Sequence, residues 1–129
     1  MGRILVVEDD PQVRDVIIAL LESADHEACG AGDGASAVAL GRSGQFDLAI
    51  IDLILPEQDG LAAIRELRRR VPRLQLVAIS GGGRVGFDEY LQTAAFVGAD
   101  ATLAKPFRRD ELLTTVDALL DEALFAANS

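Results

Sequence analysis

The stretch RILVVEDD, residues 3–10, combines an apolar run with three consecutive acids at its carboxyl end. Consecutive apolar and β-branched residues without polar alternation are typical of a parallel strand that helices cover on both faces. The segments LAII at residues 48–51 and LQLVAI at residues 74–79 repeat this pattern, and shorter candidates lie at Glu27 to Ala31 and at Ala101 to Leu103. The sequence therefore predicts five strands, with the two weaker candidates as outer strands.

Segments with helical spacing alternate with these strands. After Pro11, a residue suited to the first turn of a helix, apolar residues repeat at intervals of three and four. Four more helices are predicted at about Ala35 to Arg42, Leu61 to Arg70, Phe87 to Val97, and from near Asp110, whose side chain is suited to cap the last one. Strict alternation predicts an α/β fold with a doubly wound parallel sheet and right-handed crossovers. For a five-stranded sheet of this class we expect the strand order 2-1-3-4-5.

Length and composition limit the classes of protein that fit. At 129 residues, with half of them hydrophobic, residues 1–129 are expected to form a single folded domain. The net charge of −9 disfavours binding to nucleic-acid backbones by this chain alone. The single cysteine, Cys29, excludes an internal disulfide and is expected to be a small core residue, and the longest wholly apolar run, Val16 to Leu21, is too short to span a bilayer. We therefore expect a cytoplasmic protein that binds neither nucleic acid nor membranes.

Polar residues follow the predicted strands at their carboxyl ends, where ligands bind in sheets of this class. Strand one ends in acids that include Glu8 and Asp9, strand three ends in Asp52, strand four ends in Ser80, and strand five leads to Lys105. Two carboxylates about 4 Å apart repel by roughly 4 kcal/mol at an effective dielectric constant of about 20, so a cluster of acids at one rim needs a cation. Oxygen ligands are what Mg²⁺ prefers, and a lysine adds one more positive charge. The set predicts a Mg²⁺-dependent phosphoryl site.

Taken as a spaced set, these residues resemble a known family. The strings ILVVEDD at residues 4–10, DLILP at residues 52–56 with Asp59-Gly60, Ser80, and KPF at residues 105–107 are similar to the motifs of the receiver domain of two-component response regulators. The resemblance covers nearly the whole chain. It implies a flavodoxin-like, CheY-like (βα)5 fold in three layers. It also implies a phosphoacceptor that catalyses its own phosphorylation and dephosphorylation, and not a classical enzyme.

The resemblance assigns roles to the acidic residues. Asp52 matches the phosphoacceptor, and a carboxylate can attack phosphorus to give an acyl phosphate. Glu8 and Asp9 match the acidic pair that binds Mg²⁺, with Asp9 as the direct ligand and Glu8 acting through water. The backbone carbonyl of Ile54 matches the main-chain metal ligand.

The resemblance also implies the remaining site residues and the partners. Ser80 matches the hydroxyl position that binds a phosphoryl oxygen, and Lys105 matches the invariant lysine, followed in this family by a cis peptide at the position of Pro106. The expected donor is a phosphohistidine on a histidine kinase or histidine phosphotransfer protein, and water later hydrolyses the product. Phosphorylation is expected to shift the population toward an active arrangement, which a downstream effector reads on helix four, strand five and helix five.

Three features depart from the family pattern. Thr102 stands three residues before Lys105, where the family usually has Tyr or Phe as a switch residue. The segment from Ser80 to Lys105 is longer than usual and contains Gly81-Gly82-Gly83, which predicts either a loop that orders on phosphorylation or a solvent loop with no switching role. Ile54 places an apolar side chain two residues past the acceptor, which predicts a slower loss of phosphate.

Single motifs also permit other interpretations. Residues Gly30 to Ala35 fit the dinucleotide-binding pattern G-x-G-x-x-G/A, although they follow a weak second strand. Ser80 beside three glycines suggests a hydrolase, but His26, the only histidine, is predicted in a loop at the opposite end of the sheet. Asp10, directly before Pro11, fits a helix cap. A pseudo-receiver used only for interaction is disfavoured because the acids, the hydroxyl and the lysine are all present.

A basic run surrounds the end of the third predicted helix. Two interpretations fit it: a solvated helix end that complements the helix dipole, or a docking surface for a partner. The run consists of Arg65, Arg68, Arg69, Arg70 and Arg73. Two arrangements of the whole protein also fit the sequence, a stand-alone receiver and the receiver of a longer regulator.

Overall fold

The computed structural model describes residues 2–55, 60–81, 92–95 and 98–128. It contains the strands β1 (Arg3–Val7), β2 (Glu27–Ala31), β3 (Leu48–Asp52), β4 (Gln75–Gly81) and β5 (Ala101–Lys105). They form one parallel sheet in the order β2-β1-β3-β4-β5, so the predicted sheet and strand order are confirmed. The two weaker sequence candidates are the two edge strands, as expected.

Helices connect the strands: α1 (Pro11–Glu22), α2 (Gly34–Ser43), α3 (Gly60–Arg70) and α5 (Arg109–Asn128), and the helical residues 92–95 are labelled α4. Of α4, residues 92–95 are described and are helical, and the rest of the fourth predicted helix lies outside the described residues. Because α5 begins at Arg109, Asp110 lies in its first turn and does not cap it. Among the described residues, no helix has both the length and the apolar content that crossing a membrane requires.

Two hydrophobic layers explain why the central strands lack polar alternation. In β1, Leu5 and Val7 pack into the layer shared with α2 and α3, whereas Ile4 and Val6 pack into the layer shared with α1 and α5. All five residues of β3 are buried. Each fully buried side chain of this kind stabilises the fold by roughly 1.5 to 3 kcal/mol. Helices therefore cover both faces of the sheet, as the doubly wound prediction requires.

Two residues near the start of β2 differ from expectation. Cys29 is exposed, so its prediction as a core residue is wrong; β2 is an edge strand, and Ala31 is its only buried residue. His26 does precede β2, but it is buried: its Nδ1 accepts a hydrogen bond from the Gly2 N–H at 3.0 Å, and its Nε2 lies 3.1 Å from Asp117 Oδ1. This histidine belongs to the amino end of the sheet, which excludes the hydrolase interpretation of the serine at the end of β4.

The basic run around the end of α3 is not simply solvated. Arg68 donates to the carbonyl oxygens of Gly98 at 2.8 and 3.0 Å, of Leu74 at 2.9 Å and of Pro72 at 3.0 Å, and it also binds the Asp100 carboxylate. The prediction of a solvated helix end is therefore wrong for Arg68, which ties α3 to the segments before β4 and β5. Two neighbours form ion pairs within the helix, namely Arg69 and Arg70, both with Glu66.

Candidate functional site

The parallel register brings the ends of four strands to one edge of the sheet. Asp52 pairs with Ile79 across β3 and β4, and Gly81 pairs with Lys105 across β4 and β5. Glu8 directly follows β1, and its N–H continues the ladder by donating to a β2 carbonyl at 3.0 Å. Backbone pairing therefore fixes where these side chains leave the sheet, and all of them leave it at the carboxyl edge.

Lys105 joins two buried carboxylates at this edge. Its Nζ lies 3.0 Å from Glu8 Oε1 and 2.9 Å from Asp52 Oδ2. Glu8 is 2% exposed and Asp52 is 6% exposed. Charge-assisted hydrogen bonds of this length are among the stronger contacts in a protein. The structure thus brings together the acids that follow strands one and three and the lysine of strand five, as the strand-end pattern predicts.

The loop after Asp52 is fixed by close backbone contacts. The Ile54 N–H donates to Asp52 Oδ1 at 2.9 Å, so each carboxylate oxygen of Asp52 accepts from a donor. Gly60 begins α3 directly against this loop, because a Cβ there would lie 2.3 Å from the Asp52 carbonyl oxygen and 2.6 Å from Leu53 Cα. A glycine is required at this close approach. The Ile54 side chain is 47% exposed and so remains accessible.

Burial and pairing shift the pKa values of the three charged groups. Burial, reinforced by hydrogen bonding to Asp52 and opposed by Lys105, raises the pKa of Glu8 from 4.5 to about 8. Burial alone would raise the pKa of Asp52, but hydrogen bonds with Glu8, with the Ile54 N–H and with Lys105 hold the pKa below its ordinary value. Burial would lower the pKa of Lys105, and the two carboxylates raise it instead. Without a metal ion, these shifts favour the protonated form of Glu8 and the charged forms of Asp52 and Lys105.

The acidic cluster fits a hard divalent cation. Glu8, Asp9 and Asp52 each offer a carboxylate oxygen, and these oxygens lie within 4.8 Å of one another. Glu8 Oε2 is buried and has no hydrogen-bond partner among the described residues. A buried oxygen without a donor costs free energy unless a cation or water compensates it. A set of oxygen donors with more acids than bases is what Mg²⁺ prefers, so the residues present fit the predicted ion.

The remaining predicted site residues lie on β4 and β5. Ser80 is 3% exposed and pairs with Ala104, the residue before Lys105. The Lys105–Pro106 peptide is cis, as the family resemblance predicts. Thr102 is half-buried on β5. Of the glycine run after Ser80, the first residue ends β4, and the other two lie outside the described residues.

The loop between β1 and α1 carries the exposed acid of the site. Asp9 is exposed, and the next residue, Asp10, caps α1 by accepting from the Gln12 N–H at 2.9 Å, which agrees with its interpretation as a cap. One contact to this loop was not found from the sequence. Arg14 of α1 donates from Nη1 to the carbonyl oxygen of Glu8 at 2.9 Å.

The dinucleotide-binding interpretation of the glycines in and after β2 is wrong. A Cβ on Gly30 would lie 2.8 Å from Arg14 Cδ, and a Cβ on Gly32 would lie 3.2 Å from Arg14 Nη1, so the space above both glycines holds a side chain of this chain. Asp33 caps α2 by accepting from the Ser36 N–H at 2.7 Å. The strand before the motif is also an edge strand, not a central one.

Comparison with protein families agrees with this geometry. The family described as response regulator receiver domain matches residues 4–117. The chain belongs to this family. The expected set of acids, hydroxyl and lysine therefore lies on the receiver-domain fold that its members share.

Two curated regulators each contain a region that is similar in sequence to this chain. It is 36% identical over 127 residues to the DNA-binding dual master transcriptional regulator RpaA of Synechocystis sp., and the match covers 93% of this chain and 49% of that protein. It is 29% identical over 118 residues to the cell cycle response regulator CtrA of Brucella ovis, with coverage of 92% and 50%. The chain spans about half the length of these curated relatives.

Solved structures resemble this receiver domain over nearly its full length. A CheY-like receiver domain protein from Methanospirillum hungatei superposes with a TM-score of 0.90 at 26% identity, covering 98% of both chains. The receiver domain of the sensor histidine kinase PA1611 from Pseudomonas aeruginosa superposes with a TM-score of 0.84 at 31% identity, covering 93% of this chain and 98% of that one. The latter is described with a magnesium ion coordinated in its active site cleft.

Proposed function

We propose that this receiver domain accepts a phosphoryl group on Asp52 in a reaction that depends on Mg²⁺, and that phosphorylation changes its binding to a partner. The observation that carries the proposal is the contact of Lys105 with both buried carboxylates, Glu8 and Asp52, beside the exposed Asp9. The arrangement provides an anionic nucleophile and a fixed cation at one edge of the sheet. Positioning and charge stabilisation supply most of the catalysis in phosphoryl transfer.

In the proposed transfer, a carboxylate oxygen of Asp52 attacks the phosphorus of a phosphohistidine on a histidine kinase or a histidine phosphotransfer protein. The O–P bond forms as the N–P bond breaks, and the histidine ring leaves with the electron pair of that bond. The product is an aspartyl phosphate. Water later attacks the same phosphorus, which releases inorganic phosphate and restores the carboxylate. The domain thus catalyses its own phosphorylation and dephosphorylation.

The residues around Asp52 have distinct parts in this proposal. Lys105, with Nζ 2.9 Å from Asp52 Oδ2, supplies a positive charge for the phosphoryl oxygens. The Ile54 N–H, 2.9 Å from Asp52 Oδ1, holds the orientation of the carboxylate. The hydroxyl of Ser80, at the end of β4, is proposed to bind a phosphoryl oxygen of the product.

The acidic cluster is proposed to hold the metal ion. Asp9 would be a direct ligand together with Asp52 and the Ile54 carbonyl, and Glu8 would act through water. When bound, the ion supplies positive charge that stabilises the phosphoryl oxygens. The buried Glu8 Oε2, which lacks a partner among the described residues, supports this proposal.

The output is proposed to be a change in protein binding on the face formed by α4, β5 and α5. Phosphorylation would favour the arrangement in which Ser80 contacts the phosphoryl group. Because Thr102 stands where the family usually has an aromatic switch residue, the aromatic part of the usual coupling is missing. With a net charge of −9, this chain alone is proposed not to contact nucleic acid, and DNA binding is described for a relative about twice as long. We also propose that residues 1–129 form a single domain, that the protein is cytoplasmic, and that a histidine kinase is its partner.

Incubation with acetyl phosphate and Mg²⁺, followed by intact mass measurement, tests the proposal. The wild-type chain should gain one phosphate adduct, and the adduct should disappear in Asp52→Asn and when EDTA replaces Mg²⁺. A matched control is Asp15→Asn, the same substitution at an exposed acid of α1, which should be phosphorylated like the wild type. A wild-type chain that gains no phosphate would support the pseudo-receiver alternative instead.

A further inference from the structure

We propose that Arg14 is a positioning residue for the acidic pair Glu8-Asp9, and that Gly30 and Gly32 form the space that lets its guanidinium reach the loop carrying the pair. The inference rests on the proposed Mg²⁺ site, because its consequence is a preorganised set of metal ligands. Arg14 itself touches neither the phosphoryl group nor the ion in this proposal. It acts through the backbone of Glu8.

Two hydrogen bonds hold the backbone of Glu8. Its N–H donates to the Ala31 carbonyl at 3.0 Å, and its carbonyl oxygen accepts from Arg14 Nη1 at 2.9 Å. Both polar groups of this peptide segment are therefore bound, one to the neighbouring strand and one to a helix. A hydrogen bond from a charged donor is stronger than one from a neutral donor.

Asp9 lies between two residues, Glu8 and Asp10, whose positions are fixed by hydrogen bonds. On its amino side, Glu8 is held as described above. On its carboxyl side, Asp10 accepts from the Gln12 N–H at 2.9 Å, and its carbonyl accepts from the Arg14 N–H at 2.9 Å in the first turn of α1. Arg14 therefore contacts the segment from both sides, through its backbone and its side chain. An exposed ligand on a restrained backbone loses less conformational entropy when it binds a cation.

Gly30 and Gly32 leave space for the side chain of Arg14. Gly30 lies on β2 and Gly32 directly follows the end of this strand, and both face the side chain of Arg14. A Cβ on Gly30 would lie 2.8 Å from Arg14 Cδ, and a Cβ on Gly32 would lie 3.2 Å from Arg14 Nη1. Among the described glycines, positive φ occurs at Gly98 and not at these two positions. Gly30 therefore serves to leave space for the Arg14 side chain and not to adopt a special backbone conformation, and Gly32 leaves space for the end of the same side chain.

The direct test measures Mg²⁺ binding to the full chain by isothermal titration calorimetry. Arg14→Met keeps an unbranched apolar stem but removes the donor, and we expect its dissociation constant for Mg²⁺ to rise about tenfold, the lower end of the range for losing a partner of a metal ligand. Arg14→Lys retains one charged donor and should recover part of the affinity. Arg42→Met, at an exposed arginine of α2, is the matched control and should bind Mg²⁺ like the wild type.

A second variant separates positioning from simple stabilisation. Gly30→Ala leaves Arg14 in the sequence but displaces its side chain, so it should weaken Mg²⁺ binding as Arg14→Met does. In the double variant, Gly30→Ala should add little to the effect of Arg14→Met, because the contact is already lost. The free energies of unfolding of the same variants, measured with urea in EDTA, should not show this non-additive pattern. Gly30→Ala also lowers the conformational entropy of the unfolded chain, and this effect is independent of Arg14.

The measured outcomes distinguish the positioning role of Arg14 from the proposed Mg²⁺ site. Equal Mg²⁺ affinity in Arg14→Met and the wild type, or independent additive effects of the two substitutions, would overturn the role of Arg14 and leave the proposed function intact. A wild-type chain that binds no Mg²⁺ would reject the metal site itself. If Arg14→Met does not fold, Gly30→Ala and Arg14→Lys carry the same test.

Discussion

The two ends of the sheet each hold a cluster of charged groups, and the clusters differ in how completely those groups are satisfied. At the amino end, Arg68 donates to carbonyl oxygens and to Asp100, and the Asp100 carboxylate also accepts the Leu76 N–H at 2.8 Å. At the carboxyl end, Lys105 contacts two buried carboxylates, and Glu8 Oε2 has no partner in the part of the chain that the structure describes. A balanced cluster stabilises the fold, whereas an unbalanced one needs a further cation or a proton.

The two clusters also differ in their basic residue, which is a lysine at the carboxyl end of the sheet and an arginine at the amino end. Lys105 is the only lysine of the chain, and every other basic side chain except His26 is an arginine. The planar guanidinium of Arg68 suits several carbonyl oxygens in a fixed geometry, whereas an ammonium group is a compact charge with rotatable donors. In the proposed phosphoryl transfer, the ammonium group of Lys105 would turn from the carboxylates toward a phosphoryl oxygen. The comparison predicts that Lys105 is needed for phosphorylation, whereas Arg68 is needed for the stability of the fold.

Removing the base at the carboxyl end should give the largest effect on function. In Lys105→Met, phosphorylation of Asp52 by acetyl phosphate and Mg²⁺ is expected to slow by about 10²- to 10³-fold, because the charge beside the nucleophile is lost. The rate is followed by intact mass. Lys105→Arg keeps the charge but replaces the compact ammonium, so it should remain strongly impaired. A rate in Lys105→Met within about twofold of the wild type would remove the basis of the comparison.

Removing the base at the amino end should instead affect stability. Arg68→Met is expected to lower the free energy of unfolding by about 2 to 3 kcal/mol, because carbonyl oxygens and a carboxylate lose a charged donor. Urea denaturation measures this change, and the folded variant should still be phosphorylated at the wild-type rate. Arg65→Met, at an exposed position of the same helix, is the control and should change stability little. A slower phosphorylation of folded Arg68→Met would show that the two clusters are not separate.

The free energy of unfolding without metal should depend on pH through Glu8. Its pKa rises from 4.5 to about 8 on folding, so between these values the folded chain holds a proton that the unfolded chain has lost. The contribution of Glu8 to the free energy of unfolding is therefore fully present below pH 4.5. It decreases as the pH rises toward about 8, by up to about 1.4 kcal/mol per pH unit. The lowered pKa of Asp52 acts in the opposite direction, and its contribution is lost as the pH falls below 3.8.

Urea denaturation in EDTA at several pH values measures this dependence. Glu8→Gln should remove the decline, whereas Glu22→Gln, at an exposed glutamate of α1, should retain it. Saturating Mg²⁺ should restore stability near pH 8, because the ion binds the ionised form of the cluster. A flat profile for the wild type in EDTA would mean that Glu8 does not carry the excess proton.

The sequence predicts the fold and the strand-end cluster well because both follow from local patterns. Unbroken apolar runs identify strands that are covered on two faces, and parallel pairing then brings their carboxyl ends together. This is sufficient to place Glu8, Asp52 and Lys105 at one edge. The predictions that failed depend on tertiary contacts. Cys29 is exposed on an edge strand; the sequence predicts β2 as an outer strand, but it does not show which residues of β2 the neighbouring elements leave uncovered.

Two arginines show why such contacts escape a sequence pattern. Arg68 binds the carbonyl of a glycine 30 residues away, and the sequence shows only a basic helix end. Arg14 fills the space over Gly30 and Gly32, and those glycines match a phosphate-binding pattern equally well. A glycine pattern reports that something approaches the backbone closely, and only the fold decides whether that is a ligand or a side chain of the same chain.

The smallest expected effect concerns how long the phosphorylated state lasts. Ile54 holds Asp52 Oδ1 through its N–H at 2.9 Å, while its side chain is 47% exposed and apolar. Ile54→Asn keeps the N–H and adds groups that can bind the attacking water, so we expect phosphate to be lost a few-fold faster. After phosphorylation with acetyl phosphate and removal of the donor, intact mass over time gives the decay rate, and Ile54→Val is the apolar control. Unchanged decay in Ile54→Asn would refute the prediction. Faster decay without slower phosphorylation would show that the exposed side chain controls water while the buried contacts control transfer.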